Sequence, residues 1–198
     1  MYFFTISIVV WCLLLAVMKG VVLPRLGQRV MGDGSTAVFW YFNYLYVKFV
    51  HHLQANDIDL VPKELHPGKL IVVCNHQSPI DPLLVQSQCR FKIRWLMAKE
   101  FMSPSLSIVW KLSEVIPIAR DGQDTAGLRA ALKHLRSNGV VGIFPEGGIK
   151  QPRHAVHPFA NGVGAMIAKT KATVLLATVD GTPASVEMED ALFERSYS

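Results

Sequence analysis

The chain has few cysteines, no run of basic residues and no repeated or low-complexity segment. Its three cysteines, Cys12, Cys74 and Cys89, fit neither a disulfide framework nor a metal-binding spacing, which favours a reducing compartment. A net charge of +5 and a pI of about 9.2 favour an anionic partner. Without a basic run or a recognised binding motif, that partner is expected to be anionic lipid and not nucleic acid.

The first 18 residues also lack any charged side chain and are mostly large and apolar. A helix that crosses a bilayer needs about 20 apolar residues, so this segment is borderline for crossing and long enough to embed. It lacks the basic start and the small-residue cleavage site of a signal peptide, so we expect a retained anchor. Lys19, Arg25 and Arg29 follow the segment and nothing basic precedes it, which predicts that the rest of the chain lies on the cytoplasmic side.

A second segment, residues 36–54, is crowded with aromatic side chains. Phe39, Phe42, Tyr46 and Phe49 fall on one face at helical spacing. This pattern suits a helix that lies at the membrane interface with its rings at headgroup level, and the alternative is a buried core helix. We therefore assign residues 1–56 to a two-helix membrane anchor and residues 57–198 to one globular domain.

In the globular part, apolar runs typical of strands alternate with helical patterns. Strands are expected at residues 70–74, 91–97, 115–118, 140–144 and 173–179, and helices at residues 82–85, 125–137 and 162–169. This alternation predicts an α/β fold, a single mixed-sheet sandwich domain flanked by helices. With 198 residues in total, the chain has room for one such domain with a sizeable core.

Two polar segments, residues 75–81 and 144–148, each follow an expected strand. His76 and Asp81 are separated by four residues, so on one continuous helix their side chains would point apart. A proline between them and a second proline directly after Asp81 instead predict a tight turn and then a helix, with Asp81 at its N-cap. Such a turn brings Asp81 back towards His76.

A carboxylate that is hydrogen-bonded to one imidazole nitrogen leaves the other nitrogen free to take a proton from a hydroxyl. The pair His76 and Asp81 has no serine of its own, so the nucleophile would be the alcohol of an acceptor that attacks a thioester. Ser78 and Cys74 are alternative nucleophiles, although they fit a turn residue and a small core residue better. Without chemistry, Asp81 would be an ordinary N-cap and His76 an ordinary polar residue at a strand end.

These segments resemble the 1-acylglycerol-3-phosphate acyltransferase family of glycerolipid and lysophospholipid acyltransferases. Asn75, His76 and Asp81 match its Asn-His-x-x-x-x-Asp motif, and residues 144–147 match its Phe-Pro-Glu-Gly motif. Residues 97–101 and 115–120 resemble its Lys-Glu segment and its short apolar stretch that ends in arginine. The chain departs from the family after the second long motif, where Gly-Ile-Lys replaces the usual Thr-Arg-Ser.

The resemblance implies a membrane-associated acyltransferase that moves a fatty acyl group to the free hydroxyl of a lysophospholipid. The donor would be acyl-CoA or acyl-carrier protein as co-substrate, the acceptor 1-acylglycerol-3-phosphate and the product phosphatidic acid, with no cofactor and no metal. His76 would be the general base and Asp81 its orienting partner. The substrate-binding residues that the resemblance implies are Asn75, Lys99, Arg120, Glu146, Gly147, Gly148 and Lys150.

Three alternatives stay open, the first two because the departure after Gly147 removes an expected arginine. The chain could acylate a different lysolipid. It could bind lipid without turnover, or it could use the His76 and Asp81 pair to activate water as a hydrolase.

Overall fold

The computed structural model describes residues 2–119, 125–152, 155 and 157–196, with side chains described from Ser7 onward. At its centre is a five-stranded sheet. The strands are β1 (Leu70–Cys74), β2 (Arg94–Ala98), β3 (Ile116–Ile118), β4 (Val140–Ile143) and β5 (Thr173–Ala177). They lie in the order β3-β2-β4-β1-β5, and all four neighbouring pairs are parallel. The carboxyl ends of all five strands therefore meet at one edge of the sheet.

Helices cover both faces of this sheet. The α-helices of the described residues are, in chain order, α1 (Tyr2–Val17), α2 (Leu23–Arg29), α3 (Gly34–Tyr46), α4 (Asp81–Gln88), α5 (Ser107–Ser113), α6 (Thr125–Arg136), α7 (Gly162–Thr170) and α8 (Met188–Ala191). Alternate residues of β1 point to opposite faces, so Val72 joins a core with α4 whereas Ile71 joins a core with α6 and α7. Because both faces are covered, β1 is buried along its whole length.

The predicted α/β class with flanking helices is confirmed, and the sheet is parallel where a mixed sheet was expected. The five predicted strands are present with ends shifted by up to three residues. The largest shift is at β2, because the main-chain N–H of Ile93 donates to Gln86 Oε1 instead of to a neighbouring strand. The short helices α5 and α8 were not predicted. The sequence also predicts an acidic N-cap at Asp124 for the helix that begins at residue 125, and Asp124 lies outside the described residues.

The amino-terminal helices form the apolar part of the molecule. The helix through Ser7–Arg29 has 23 residues, a mean hydropathy of 2.2 over its most apolar stretch and no burial in that stretch. Among the residues that the structure describes, it is the one helix whose length and composition would allow it to cross a membrane. It then packs closely on α3, since a Cβ atom added to Gly34 would lie 2.6 Å from the Cβ atom of Leu23.

Helix α3 has one face on the protein and one face exposed. Trp40 Nε1 donates to the carbonyls of Gln86 and Cys89, and Asn43 Nδ2 donates to the carbonyl of Leu83, which fixes α3 to α4 and to the residue that follows it. On the exposed side, 69% of Phe42 is accessible, and 64% of Phe49 is accessible in the helical turn Val47–His51 that follows α3. The helix is thus neither a fully buried core helix nor a free surface helix.

The aromatic face predicted for this segment is therefore divided. Tyr46 turns inwards and its hydroxyl donates to the carbonyl of Leu192, as a half-buried tyrosine hydroxyl requires a partner. Phe39 is half-buried and lines a small pocket, whereas Phe42 and Phe49 remain exposed. Helical periodicity alone could not separate these two groups, because the division depends on contacts with distant parts of the chain.

Candidate active site

The two polar segments meet at the carboxyl edge of the sheet. β1 and β4 are neighbours, with Val73 opposite Ile143, so the residues that follow the two strands lie side by side. His76 follows β1 and Glu146 follows β4, and the main-chain N–H of His76 donates to Glu146 Oε1 over 3.2 Å. Glu146 is only 7% exposed. This contact joins the two segments that the sequence had singled out.

The turn after β1 brings His76 and Asp81 into contact. Asp81 is fully buried, and its Oδ2 atom accepts hydrogen bonds from His76 Nδ1 at 3.0 Å, Gln77 N at 2.7 Å and Ser78 N at 2.9 Å. Three donors on one oxygen offset much of the cost of burying a carboxylate. The predicted approach of Asp81 to His76 is confirmed.

The route to this contact differs from the one predicted. Asp81 is the first residue of α4 and not its N-cap, which is Ile80. Its carboxylate accepts hydrogen bonds from main-chain N–H groups of the preceding turn, and not from the first N–H groups of the helix as an N-cap would. The carboxylate therefore organises the turn that carries His76.

The hydrogen bond fixes how the imidazole is protonated. A carboxylate only accepts hydrogen bonds, so Nδ1 of His76 carries the proton that is shared with Asp81. In the neutral ring, Nε2 then presents a lone pair. The His76 side chain is 17% exposed, so the ring is not sealed inside the protein. The pair has the arrangement of a general base and its orienting carboxylate.

Phe144 and Trp95, which the sequence did not link to His76, form an aromatic stack that begins at the imidazole ring. The Phe144 ring is stacked on the imidazole, with ring centroids 4.0 Å apart and planes at 15°. Trp95 is stacked on the other side of Phe144, with centroids 4.6 Å apart and planes at 12°. The hydrogen bond to Asp81 holds one atom of the imidazole, and this stack holds its plane.

Asn75 is tied to the strand end on the other side of β1. Its Nδ2 atom donates to the carbonyl of Val179 over 2.9 Å, and the N–H of Val179 donates to Asn75 Oδ1 over 2.8 Å. Both ends of the amide are therefore used to join the segments that follow β1 and β5. The substrate contact expected for Asn75 stays a prediction, and the contact observed is with the main chain.

Neither alternative nucleophile is well placed. Burial raises the pKa of the Cys74 thiol, and the nearby carboxylates of Asp81 and Glu146 raise it further, so its nucleophilic thiolate is disfavoured. Ser78 is fully buried, and its Oγ atom has no hydrogen-bond partner in the part of the chain that the structure describes. A serine nucleophile would need a hydrogen bond from its hydroxyl to His76 Nε2, and Ser78 Oγ makes none among the described residues.

The remaining predicted substrate residues are placed less closely. Lys99 begins a short 3-10 turn directly after β2, at the same edge of the sheet, and Lys150 is exposed. Gly147 and Gly148 have φ angles of 73° and 152°, which only glycine adopts readily, and the Gly147 N–H donates to the carbonyl of Phe144. That amide is used within the turn and not for an oxyanion. Arg120 lies outside the described residues.

Two comparisons with known proteins cover this site. A family model described as "Acyltransferase" matches residues 53–179, which include both polar segments. The fold is similar to the crystal structure of the 1-acyl-sn-glycerophosphate (LPA) acyltransferase PlsC from Thermotoga maritima, with a TM-score of 0.57 and 20% sequence identity. The match covers 83% of this chain and 68% of that chain. At this identity the likeness shows a common fold.

Proposed function

The chain belongs to the acyltransferase family, and on that basis we propose that it transfers a fatty acyl group from an acyl thioester to the free hydroxyl of a lysophospholipid at a membrane. The specific acceptor we propose is 1-acylglycerol-3-phosphate, which would give phosphatidic acid. The observation that carries the proposal is the hydrogen bond between His76 Nδ1 and Asp81 Oδ2 at the carboxyl edge of the sheet. This pair supplies a general base, and the acceptor hydroxyl would be the nucleophile in place of an enzyme side chain.

The proposed reaction is a direct transfer. His76 Nε2 removes the proton from the acceptor hydroxyl while the hydroxyl oxygen attacks the carbonyl carbon of the thioester. The negative charge of Asp81 stabilises the imidazolium that forms. The tetrahedral intermediate then collapses, the C–S bond breaks, and the imidazolium returns its proton to the thiolate of CoA or of acyl-carrier protein. No acyl-enzyme is formed, in keeping with the burial of Cys74 and Ser78.

A phosphate on the acceptor fits the charge of this chain. The net charge is +5, and Lys99 lies at the same sheet edge as His76. We propose that Lys99, Arg120 and Lys150 hold the phosphate, since several cations commonly share such a group. Lysine gives a mobile point charge where arginine would give a planar fork, so the loss of arginine after Gly147 weakens the hold on phosphate without removing it.

The first prediction concerns these cations. Lys99→Ala and Arg120→Ala are each expected to raise the KM for 1-acylglycerol-3-phosphate about tenfold and to lower kcat less than about threefold, because the contact exists before and during the reaction. Initial rates with acceptor in mixed micelles would measure both constants. Arg136→Ala removes the same charge from an exposed position at the far end of α6 and should change neither constant.

A panel of acceptors tests the headgroup itself. We expect the parent protein to prefer 1-acylglycerol-3-phosphate over a monoacylglycerol with the same acyl chain. Equal rates with the two acceptors would contradict a phosphate site. A fall in the kcat of Lys99→Ala that is as large as the rise in its KM would also contradict it. Preference for a different lysolipid would identify another acceptor for the same chemistry.

We also propose that the protein sits on the cytoplasmic side of a membrane. The apolar helix through Ser7–Arg29 is followed by exposed rings on α3 and on the helical turn after it. Between α2 and α3 lies an open apolar groove of about 280 Å3, lined by Leu26, Val38, Tyr41, Phe42 and Leu45. Apolar surface of this extent would otherwise face water. Together, the apolar helix and the exposed rings would hold the carboxyl edge of the sheet, where we place the acceptor, near lipid.

The second prediction separates the two membrane elements. A protein that lacks residues 1–19 keeps the contact between Leu23 and Gly34 and should still sediment with anionic liposomes, but high salt or alkaline carbonate should partly release it. The full-length protein should need detergent for release. Adding Phe42→Ser and Phe49→Ser to the truncated form should free it from lipid and lower activity on bilayer acceptor far more than on detergent-dispersed acceptor.

The control for this experiment removes exposed apolar side chains elsewhere. Leu60→Ser and Leu176→Ser are both at exposed positions away from α3 and should leave sedimentation of the truncated form unchanged. If the truncated protein with serine at positions 42 and 49 still sediments, or loses both activities equally, then this aromatic segment is a structural part of the domain and not a membrane contact.

A further inference from the structure

We propose that Trp95 is a positioning residue for the reaction: acting through the Phe144 ring, it holds the plane of the His76 imidazole in the orientation that general-base catalysis requires. The role in catalysis rests on the proposed function, whereas the positioning itself can be measured without turnover. Trp95 lies on β2, one strand further from His76 than Phe144. Its indole ring stacks on Phe144, through which it would act on His76.

The strand register places the indole ring against a glycine. Trp95 of β2 lies opposite Gly142 of β4. A Cβ atom added to Gly142 would lie 2.4 Å from Trp95 Cε3 and 2.5 Å from Trp95 Cδ2, closer than any side chain tolerates. The indole therefore occupies the space above Gly142, and it lies flat there because that residue has no side chain. Gly142 is as necessary to the arrangement as Trp95 itself.

The same register continues the stack to the catalytic histidine. Phe144 comes two residues after Gly142 on the same side of the chain, so the indole that covers Gly142 also meets the Phe144 ring. Phe144 then lies between Trp95 and His76 with all three rings within 15° of their neighbours. Trp95 is 4% exposed and belongs to the hydrophobic core around α4. A rigid core residue thus backs the ring that contacts the base.

This backing matters because a single hydrogen bond leaves the imidazole free to tilt. The bond from Nδ1 to Asp81 fixes one atom, and the direction of Nε2 still depends on rotation of the ring about that contact. A face-to-face contact with Phe144 at 4.0 Å removes that freedom. The face of a phenyl ring also attracts a cation, so the same contact favours the imidazolium that forms during proton transfer.

Substitutions at Trp95 can separate positioning from simple loss of core packing. The indole N–H has no hydrogen-bond partner among the described residues, so Trp95→Phe removes no polar contact and keeps a flat ring against Phe144. Trp95→Leu keeps an apolar side chain but loses the flat ring. Phe91→Leu is the matched control, because Phe91 is a buried ring of the same core that is not part of the stack.

The experiment measures the ring and the reaction separately. In protein with 13C-labelled histidine, the Cε1–H signal of His76 is assigned by its loss in His76→Ala. In the parent protein we expect the signal of this proton to be shifted upfield by the ring current of the stack. Trp95→Leu should reduce this shift by about half or more, whereas Trp95→Phe and Phe91→Leu should retain it. In the transfer assay, Trp95→Leu should lower kcat about tenfold with little change in the KM for the acceptor, since small misplacements of a catalytic group are costly.

The outcomes are distinct. The positioning role would be overturned if the His76 proton shift in Trp95→Leu were the same as in the parent protein. It would also be overturned if Phe91→Leu lost as much kcat as Trp95→Leu while the two variants had the same melting temperature. The reduced shift in Trp95→Leu with retention in Trp95→Phe supports it, and the kcat loss extends it to catalysis. If the parent protein shows the shift but transfers no acyl group to any lysolipid, the positioning of His76 is supported while the proposed function fails.

Discussion

We expect replacement of His76 by alanine to lower kcat/KM for acyl transfer by about a thousandfold or more, because the proposed general base, which would accept the proton of the acceptor hydroxyl, is lost. The fold should survive this change. After the ring is removed, Asp81 Oδ2 still accepts hydrogen bonds from the main-chain N–H groups of Gln77 and Ser78, so the buried carboxylate is not left without partners. The expected loss of stability is about 1 kcal/mol, the net value of one hydrogen bond.

Thioester consumption and thermal unfolding of the same preparations would measure these two effects. His66→Ala is the control, since His66 is exposed and lies outside both polar segments, and it should retain parental kcat/KM. Substantial transfer by a folded His76→Ala protein would show that His76 is not the base. A loss of activity accompanied by a loss of the folded state would not count as support, and for that reason the unfolding measurement is essential.

Asp81→Asn should lower kcat by about a hundredfold to ten-thousandfold, as expected for a base that loses its orienting carboxylate. The asparagine is nearly the same shape, and its carbonyl can still accept from the main-chain N–H groups of the turn. If that carbonyl faces His76, the imidazolium loses the negative charge that stabilises it. The other orientation would put the NH2 group where Oδ2 accepts all three hydrogen bonds, so it would face the N–H groups of Gln77 and Ser78 and is disfavoured.

Comparison with other substitutions makes the second experiment specific. Asp81→Ala should both inactivate and destabilise the protein, because the half-buried N–H of Gln77 and the buried N–H of Ser78 lose an acceptor, at about 1 to 3 kcal/mol for the buried group. Asp81→Asn should inactivate with a much smaller change in melting temperature. Asp59→Asn, at an exposed position, should change neither property. Parental kcat in Asp81→Asn would contradict the role of the carboxylate.

The strands of the sheet could be predicted well because they coincide with local runs of apolar residues. β1 was predicted with the bounds that the structure gives, Leu70–Cys74, since five consecutive apolar residues between polar segments form a fully buried strand. The contact of His76 with Asp81 was also predictable, because both residues lie in one short turn with prolines at fixed positions. These features depend on neighbours in the sequence.

Features that depend on distant residues could not be predicted in the same way. Trp95 meets Phe144 only because β2 pairs with β4 in one particular register, and no local pattern specifies that register. Asn75 and Val179 are 104 residues apart and are joined by the order of strands in the sheet. For the same reason, Tyr46 was predicted to face lipid, whereas its hydroxyl bonds to the carbonyl of Leu192.

Glu146 makes a contact that the sequence does not predict. The sequence placed it among the residues that bind substrate, and that role stays a prediction. The contact observed is from the main-chain N–H of His76 to Glu146 Oε1, with Glu146 almost fully buried. A buried carboxylate that accepts from the main chain of the catalytic turn can hold that turn against the end of β4.

The central claim is direct transfer from thioester to lysolipid by the His76 and Asp81 pair, and a single-turnover experiment with an acyl-labelled thioester tests it most directly. Labelled acyl-CoA, or acyl-carrier protein if CoA is not used, would be mixed with excess protein and quenched with acid at successive times, with and without 1-acylglycerol-3-phosphate in the same micelles. Direct transfer predicts that label moves into phosphatidic acid only when acceptor is present and that no label is attached to precipitated protein at any time. Label released as free fatty acid without acceptor, or label held covalently by the protein before product appears, would contradict it.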